Sequence, residues 1–229
     1  MAKRPVFICS KKIDSLLETI DIEFEWYAGL SVSQKQKSIE SLHNAAQEQL
    51  ELTNILETSS KSKTSVGVSL SAFNLHLTNK DNIKASVEVF FQGSKVFAHG
   101  GPYKDLYQKS SSEAKKDQRL LESGDLIGFN FVDQDWPLIP PTVFYDWLYC
   151  SALQQNQSQA KALLEYDAFT DIEFNPNKSI NCQAASAAIY KSLTDKDLID
   201  DAMKSHKSFI NIHKKFFTEN IMTQDTLRF

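Results

Sequence analysis

A dense run of aromatic and β-branched residues at positions 86–97, SVEVFFQGSKVF, constrains the fold of this chain more than any other stretch. If it forms a helix over roughly Lys84–Val96, the rotation of about 100° per residue places Glu88, Gln92 and Lys95 on one narrow stripe. Most of the remaining positions are apolar: Val87, Val89, Phe90, Phe91, Val96 and Phe97. A helix that is apolar almost all round is a buried helix. We therefore expect this helix to carry a carboxylate, an amide and an ammonium group into the interior or to the wall of a pocket.

Two other interpretations of this stretch remain open. Glu88 and Lys95 could form a structural ion pair, which would offset the cost of burying charge without any functional role. The stretch could also be a strand, because β-branched and aromatic residues favour strands and Gly93 weakens a helix. The polar stripe still makes it a candidate site, since perturbed charged groups often mark one.

The composition is that of a globular protein of 229 residues, which is long enough for one sizeable core. Hydrophobic residues make up 41%, and no apolar run reaches the roughly 20 residues that cross a bilayer. The apolar run near the N-terminus is too short for a signal peptide, so we expect a cytoplasmic protein. Cys9, Cys150 and Cys182 are widely spaced, which excludes a zinc ribbon or a disulfide framework.

The formal net charge is −4, from 25 basic and 29 acidic residues. A protein that coats nucleic acid would be basic, so any contact with DNA must be local and weak. The basic residues that cluster along the chain are Lys104, Lys109, Lys115, Lys116 and Arg119, followed by Lys204, Lys207, Lys214 and Lys215. Both clusters could instead be solvated helix faces, and we favour that interpretation for the second.

Periodicity and capping signals along the rest of the chain predict an α-rich α+β fold. The predicted strands cover 20–26, 54–58 and 168–174. Residues 127–132 are a strand or an aromatic rim, and residues 66–77 are a strand or an extended segment. The predicted helices cover 31–52, 110–123, 142–153, 158–164, 182–193, 198–203 and 207–217, with caps at Ser31 or Ser33 and at Thr142. The loop 59–65 marks a boundary. We expect an N-terminal strand–helix addition over 1–65, a core over 66–195 and C-terminal helices over 196–229.

Four short motifs occur in the same order as in the NADAR family, which is also called YbiA-like. Residues 88–97 resemble its E-x-x-F-Q-A-x-K-F helix, and residues 70–73, LSAF, resemble its (L/F)-S-N-F segment. Residues 166–169, YDAF, resemble its D-A-Y-W-G segment, and residues 178–181, KSIN, resemble its closing G-K-N turn. The resemblance covers roughly residues 66–195 and implies a single YbiA-like domain.

The departures from the family pattern are themselves informative. Ala72 stands where the family usually has Asn, and Thr170-Asp171 replaces the Trp-Gly pair. A long Gly-Gly-Pro segment also follows the predicted helix. With these features the chain is similar to the variant of the family that is associated with DarT-type DNA ADP-ribosyltransferase toxins.

This resemblance implies an enzyme that cuts a ribose C1–N bond. Members paired with DarT-type toxins resemble hydrolases that remove ADP-ribose from guanine bases in DNA, as antitoxins in phage defence, and this is the function that we expect. Other YbiA-like members act as N-glycosidases on ribosylated intermediates of riboflavin synthesis. A third alternative is an antitoxin that binds ADP-ribose or the toxin without hydrolysis. The expected partners are ADP-ribosylated DNA as substrate and the cognate toxin, which the antitoxin could contact directly.

Such a reaction needs carboxylates that act as acid and base across the scissile bond. Together with the motifs, this chemistry makes Glu88, Lys95 and Asp171 the candidate catalytic residues, with Lys95 holding a phosphate or keeping Glu88 ionised. The candidate substrate-binding residues are Ser71, Phe73, Asn74, Gln92, Asp167, Thr170, Lys178, Asn181 and Trp147. Backbone N–H groups of the turn at 175–179 are expected to cradle a diphosphate. No histidines have metal-binding spacing, so we predict no metal and no cofactor.

The choice between Asp167 and Asp171 depends on local pattern. Asp167 matches the family's aspartate, but at the start of its segment it could simply turn the backbone. Alternation over 168–174 places Phe169, Asp171 and Glu173 on one face, which we expect to line the pocket. The alternative is that Asp171 and Glu173 face solvent.

Overall fold

A four-stranded sheet forms the base of the molecule in the computed structural model, which describes residues 1–217. Its strand order is β2-β1-β9-β3, with β1 at Ala2–Cys9, β2 at Leu17–Phe24, β3 at Ile55–Glu57 and β9 at Ala168–Thr170. The pairs β1–β2 and β1–β9 are antiparallel, whereas β3 and β9 run parallel, with Ile55 beside Ala168 and Glu57 beside Thr170. The carboxyl ends of β3 and β9 therefore lie side by side at the same end of the sheet.

Helix α1, Val32–Leu50, covers one face of this sheet. Its apolar stripe of Ile39, Leu42 and Ala46 packs on Val6 and Ile22 of β1 and β2, as the 3.6-residue spacing of that stripe predicts. The Ser31 hydroxyl accepts a hydrogen bond from the Gln34 N–H, which confirms the predicted cap.

The other face of the sheet packs on a larger core built mainly from helices. The remaining helices and strands follow in chain order: α2 at Ser65–Ser69, β4 at His76–Thr78, β5 at Lys84–Ser86, α3 at Val87–Gly93, β6 at Lys95–Phe97, a 3₁₀ turn at Lys104–Gln108, α4 at Ser111–Lys115, α5 at Arg119–Glu122, β7 at Leu126–Phe131, β8 at Gln134–Trp136, α6 at Val143–Gln155, α7 at Gln157–Leu163, α8 at Gln183–Asp195, α9 at Ile199–Met203 and α10 at His206–Phe217. This arrangement confirms the α-rich α+β fold.

The central helix is shorter than the sequence predicts. Every residue of α3 is buried, as expected, but residues 84–86 pair with β4 and residues 95–97 pair with β7 as β6. The helix ends where Gly93 lets the Tyr107 ring pack closely, since a Cβ at Gly93 would lie 2.6 Å from Tyr107 Cε1. Lys95 therefore belongs to a strand, and its helical position was a wrong prediction.

Several other boundaries differ from the sequence predictions for local reasons. Residues 65–69 are helical rather than extended, because the Thr64 hydroxyl accepts a hydrogen bond from the Gly67 N–H and so starts α2. Strand β1, the β4–β5 hairpin and β8 were not predicted. Thr142 precedes α6 in a left-handed conformation, with φ of 63°, and its hydroxyl donates to Asp146 rather than capping the backbone.

The N-terminal segment shares its sheet with the rest of the chain. Strands β1 and β3, from residues 1–65, flank β9 on both sides. The division at residues 65 and 195 stays a prediction, and the part of the predicted C-terminal region after residue 217 lies outside the described residues.

Candidate functional site

A cavity of about 1100 Å³ lies where α3, β7 and the start of α6 meet the segments that follow β3 and β9. Eight of the residues predicted as catalytic or substrate-binding line it: Ser71, Phe73, Glu88, Gln92, Lys95, Asp171, Lys178 and Asn181. The other four, Asn74, Asp167, Thr170 and Trp147, do not line it. The structure thus brings all three candidate catalytic residues to one cavity.

Helix α3 carries Glu88 and Gln92 into the cavity wall. Its start is fixed by the Ser86 hydroxyl, which accepts a hydrogen bond from the Val89 N–H, and by the Glu88 N–H, which donates to the Ala72 carbonyl. The Gln92 Nε2 donates to Glu88 Oε1 at 3.0 Å, a contact that the i, i+4 spacing of the two residues on one helix face allows. Among residues 1–217, the buried Gln92 Oε1 has no hydrogen-bond partner, so it is free to accept one from a ligand.

Two lysines lie near the Glu88 carboxylate. Lys115, at the end of α4, places its Nζ 3.6 Å from Glu88 Oε1 and 5.2 Å from the centre of the Phe73 ring. Sequence analysis placed Lys115 only in a basic cluster and missed this contact, because α4 is far from α3 in the chain. Lys95 lies with its Nζ 5.0 Å from the centre of the Phe91 ring. Burial lowers the pKa of Lys95 to about 8, although attraction to Glu88 opposes the shift.

Asp171 directly follows β9, and a network of hydrogen bonds fixes its carboxylate. Its Oδ1 accepts a hydrogen bond from the Glu173 N–H at 3.0 Å, and its Oδ2 accepts one from Gln183 Nε2 at 2.9 Å. The other end of the same amide, Gln183 Oε1, accepts the Ala72 N–H at 2.6 Å. Burial raises the pKa of Asp171 to about 6, and these hydrogen bonds to the carboxylate oppose the rise.

The predicted alternation over 168–174 is only partly present. Strand β9 ends at Thr170, and a turn in which the Phe174 N–H donates to the Asp171 carbonyl replaces the rest of the expected strand. Asp171 and Glu173 line the cavity as expected, but Phe174 lines it as well, and Phe169 is fully buried elsewhere. Glu173 also pairs with Lys35 of α1 at 3.0 Å.

A buried chain of polar groups lies behind Asp171 and was missed by sequence analysis. Glu57 Oε1 accepts the Ile172 N–H at 2.9 Å, and Glu57 Oε2 accepts the Thr170 hydroxyl at 2.7 Å. The Thr170 Oγ1 also lies 2.8 Å from His43 Nε2. Burial, followed by the charge of Asp171, raises the pKa of Glu57 to about 8, while burial lowers the pKa of His43 to about 4. Thr170 therefore belongs to the interior rather than to the cavity wall.

The other three predicted residues that miss the cavity have different surroundings. Asn74 is exposed and its Nδ2 donates to the Val68 carbonyl at 2.9 Å. Asp167 is also exposed, and its backbone N–H donates to the Asn54 carbonyl at the start of β9. Trp147 packs on the Trp136 ring with the ring centres 4.8 Å apart.

The turn at 175–181 contributes side chains, but its backbone is not the cradle that the sequence predicts. The N–H groups of Lys178 and Ser179 both donate to the Asn175 carbonyl, and the Asn177 N–H donates to the Asn175 side chain. Helix α8 begins only at Gln183. Lys178 and Asn181 still line the cavity.

Residues 1–217 show neither a metal-binding cluster nor a membrane-spanning helix. No group of three or more His, Cys, Asp or Glu side chains is placed to hold a metal ion. None of the helices in this part of the chain has the length and apolar character needed to span a membrane.

Comparison with known proteins agrees with the motifs that line this cavity. The model of a family described as the DarT1-associated NADAR antitoxin matches residues 2–222. A search of curated proteins finds no match to the chain. The family match spans nearly the whole sequence, including the N-terminal segment that the short motifs did not cover. The chain therefore belongs to the family of DarT1-associated NADAR antitoxins.

Proposed function

We propose that this antitoxin is an ADP-ribosyl glycohydrolase that removes ADP-ribose from guanine bases in DNA. The observation that carries the proposal is the presence of Glu88 and Asp171 in the wall of one cavity, in a chain of this family. The cavity volume of about 1100 Å³ is of the size that takes a ligand larger than a single nucleoside.

The two carboxylates take different roles in the proposed reaction. Glu88 lies beside the Lys115 ammonium and faces the positive charge that develops on the ribose C1 atom as its bond to guanine nitrogen breaks. Asp171, with a pKa of about 6, accepts a proton from the attacking water near neutral pH. The water oxygen forms the new bond to C1 as the C1–N bond breaks, and the released guanine nitrogen takes up a proton that balances the one passed to Asp171.

The rest of the wall suits a nucleotide that is held by stacking and hydrogen bonds. Phe91, Phe129 and Phe144 provide aromatic surface against which a base can pack. The free Gln92 Oε1 accepts a hydrogen bond from a ligand N–H or O–H group, which removes the cost of a buried unpaired oxygen. Lys178 supplies positive charge for a phosphate.

The direct test incubates the protein with an oligonucleotide that carries one ADP-ribosylated guanine, and measures free ADP-ribose and the restored guanine. Multiple turnovers would support the proposal. Binding without release would instead indicate an antitoxin that only holds its ligand. Turnover of a ribosylated riboflavin-pathway intermediate, with no action on the oligonucleotide, would contradict the proposed substrate. Direct contact with the toxin stays a prediction, which co-purification of the two proteins tests.

A further inference from the structure

The loop that follows β3 lines the candidate site although no sequence motif marks it. Residues 59–65 were predicted only as a boundary, yet Ser59, Ser60 and Lys61 form part of the cavity wall. Because β3 and β9 are parallel, this loop begins at the same end of the sheet as Asp171. Ligands commonly bind outside the carboxyl ends of parallel strands, so the loop is well placed to contact one.

The backbone of the loop is held in place by its own hydrogen bonds. Ser59 is 1% exposed, its Oγ accepts the Lys61 N–H at 3.2 Å, and its carbonyl accepts the Ser62 N–H at 3.0 Å. The Lys61 side chain therefore starts from a backbone position that is fixed relative to the cavity.

The helix after the loop packs directly against it. A Cβ at Gly67 of α2 would lie 2.0 Å from the Glu57 carbonyl oxygen and 2.2 Å from Ser62 Oγ, so only glycine permits this close approach. The loop is thus enclosed by β3 on one side and α2 on the other. A preorganised loop binds a ligand with a smaller entropic cost than a flexible one.

Lys61 lines the cavity without forming an ion pair with any carboxylate of residues 1–217, so its charge is available to a ligand. The lysines that line the cavity are Lys61, Lys95, Lys115 and Lys178. Lys115 pairs with Glu88, and Lys95 is buried beside the Phe91 ring. Within residues 1–217, Lys61 has no carboxylate within ion-pair distance, whereas its neighbour Lys63 pairs with Glu40 at 2.9 Å. A half-buried lysine that lines a cavity and has no carboxylate partner suits an anionic ligand.

We propose that Lys61, assisted by the Ser60 hydroxyl, binds a phosphate group of the substrate. This inference rests on the proposed function, since ADP-ribosylated DNA carries phosphate in the diphosphate of the ADP-ribosyl group and in the DNA backbone. The diphosphate bears two negative charges, which Lys61 and Lys178 together neutralise. The N-terminal segment thereby supplies part of the substrate site.

The proposal is tested by measuring, with calorimetry, the affinity of ADP-ribose for the wild type, Lys61→Ala and Lys63→Ala. Loss of a charge-assisted hydrogen bond predicts an affinity about 10-fold to 100-fold weaker for Lys61→Ala. Lys63→Ala removes the same charge two residues away and is expected to bind like the wild type. Lys61→Arg is expected to restore most of the affinity, and thermal melting verifies that each variant folds.

A second arm distinguishes the two phosphate sources. An unmodified guanine oligonucleotide carries only backbone phosphates, and free ADP-ribose carries only the diphosphate. If Lys61→Ala binds only ADP-ribose more weakly than the wild type does, Lys61 contacts the diphosphate. If it binds only the oligonucleotide more weakly, Lys61 contacts the DNA backbone. The proposal would be overturned if Lys61→Ala binds both ligands as tightly as the wild type. It would also be overturned if Lys61→Ala and Lys63→Ala lose the same affinity, or if the wild type binds neither ligand. Wild-type binding without hydrolysis would remove the enzymatic function but leave the Lys61 comparison valid.

Discussion

The Glu57 carboxyl group forms hydrogen bonds with both chain neighbours of Asp171, Thr170 and Ile172. One carboxylate oxygen accepts the Ile172 N–H at 2.9 Å, and the other accepts the Thr170 hydroxyl at 2.7 Å. The Thr58 N–H and hydroxyl also donate to the Thr170 carbonyl, at 2.9 Å and 3.1 Å. The position of Asp171 at the cavity is therefore set by the pairing of β3 with β9.

This arrangement predicts a specific dependence of stability on pH. Burial raises the pKa of Glu57 from 4.5 in the unfolded chain to about 8 in the folded protein, so the folded state favours the protonated form. The contribution to stability is full below about pH 4.5 and is lost as the pH rises towards about 8. Asp171, whose pKa is raised from 3.8 to about 6, adds a loss in the same direction at lower pH.

Glu57→Gln removes the titrating group and keeps the shape. We expect its melting temperature to fall less than that of the wild type between about pH 5 and about pH 8. Thermal melts across this range measure the difference, with Glu48→Gln, on the exposed face of α1, as the matched control. Parallel curves for the wild type and Glu57→Gln would show that Glu57 does not bind a proton in the folded state.

Asp171→Asn and Asp167→Asn are expected to separate activity from stability. Asp171 lines the cavity, so its loss should reduce turnover by about 100-fold or more, the usual scale for a positioned acid–base group. Asp167 is exposed at the start of β9, so Asp167→Asn should change turnover little, and any effect should be on melting temperature. Hydrolysis rates and melts of both variants test this, and the reverse pattern would identify Asp167 as the working carboxylate.

If the proposed hydrolysis occurs, its rate in the wild-type protein should also depend on the protonation of Asp171. A general base must be ionised, so kcat/KM is expected to decline as the pH falls below about 6. A pH–rate profile that stays flat through this range would contradict the role of Asp171 as base.

Gly67→Ala tests the close packing that shapes one side of the site. An added Cβ meets the Glu57 carbonyl at 2.0 Å, which forces the loop or α2 to move and should cost about 1–3 kcal/mol of unfolding free energy. Gly128→Ala is the comparison, because its Cβ would meet only the Trp136 carbonyl, at 3.1 Å. Urea unfolding measures both, and equal stabilities would mean that α2 does not constrain this loop.

Unmodified DNA should bind poorly to this protein. The net charge of −4 gives little general attraction for phosphate, so recognition is expected to come from the ADP-ribosyl group. Fluorescence anisotropy with matched oligonucleotides, with and without one ADP-ribosylated guanine, compares the two affinities. Tight and strongly salt-dependent binding of the unmodified duplex would contradict this expectation.

Local pattern was sufficient to predict the part of the site that lies on one helix. The i, i+4 spacing of Glu88 and Gln92 predicted that their side chains share one face of the helix, where the structure shows them hydrogen-bonded. The apolar surroundings predicted that α3 is buried. The same pattern placed Lys95 in the helix, and this was wrong because pairing of residues 95–97 with β7 outweighs the local helical spacing.

The parts that could not be predicted depend on contacts between distant segments. Glu57 and Asp171 come together because β3 pairs with β9, which lies more than a hundred residues later in the chain. Neither strand is longer than three residues, so neither carries a period that identifies its partner. The short motifs identified the family from residues 66–195, yet the loop with Lys61 lies outside them.

The most direct test of the account is the single-turnover rate of Glu88→Gln with the ADP-ribosylated guanine oligonucleotide. This change keeps the shape of the side chain and removes the negative charge beside the C1 atom. We expect a rate at least about 100-fold below that of the wild type, with the melting temperature nearly unchanged and the substrate still bound. A rate close to that of the wild type from folded Glu88→Gln would contradict it.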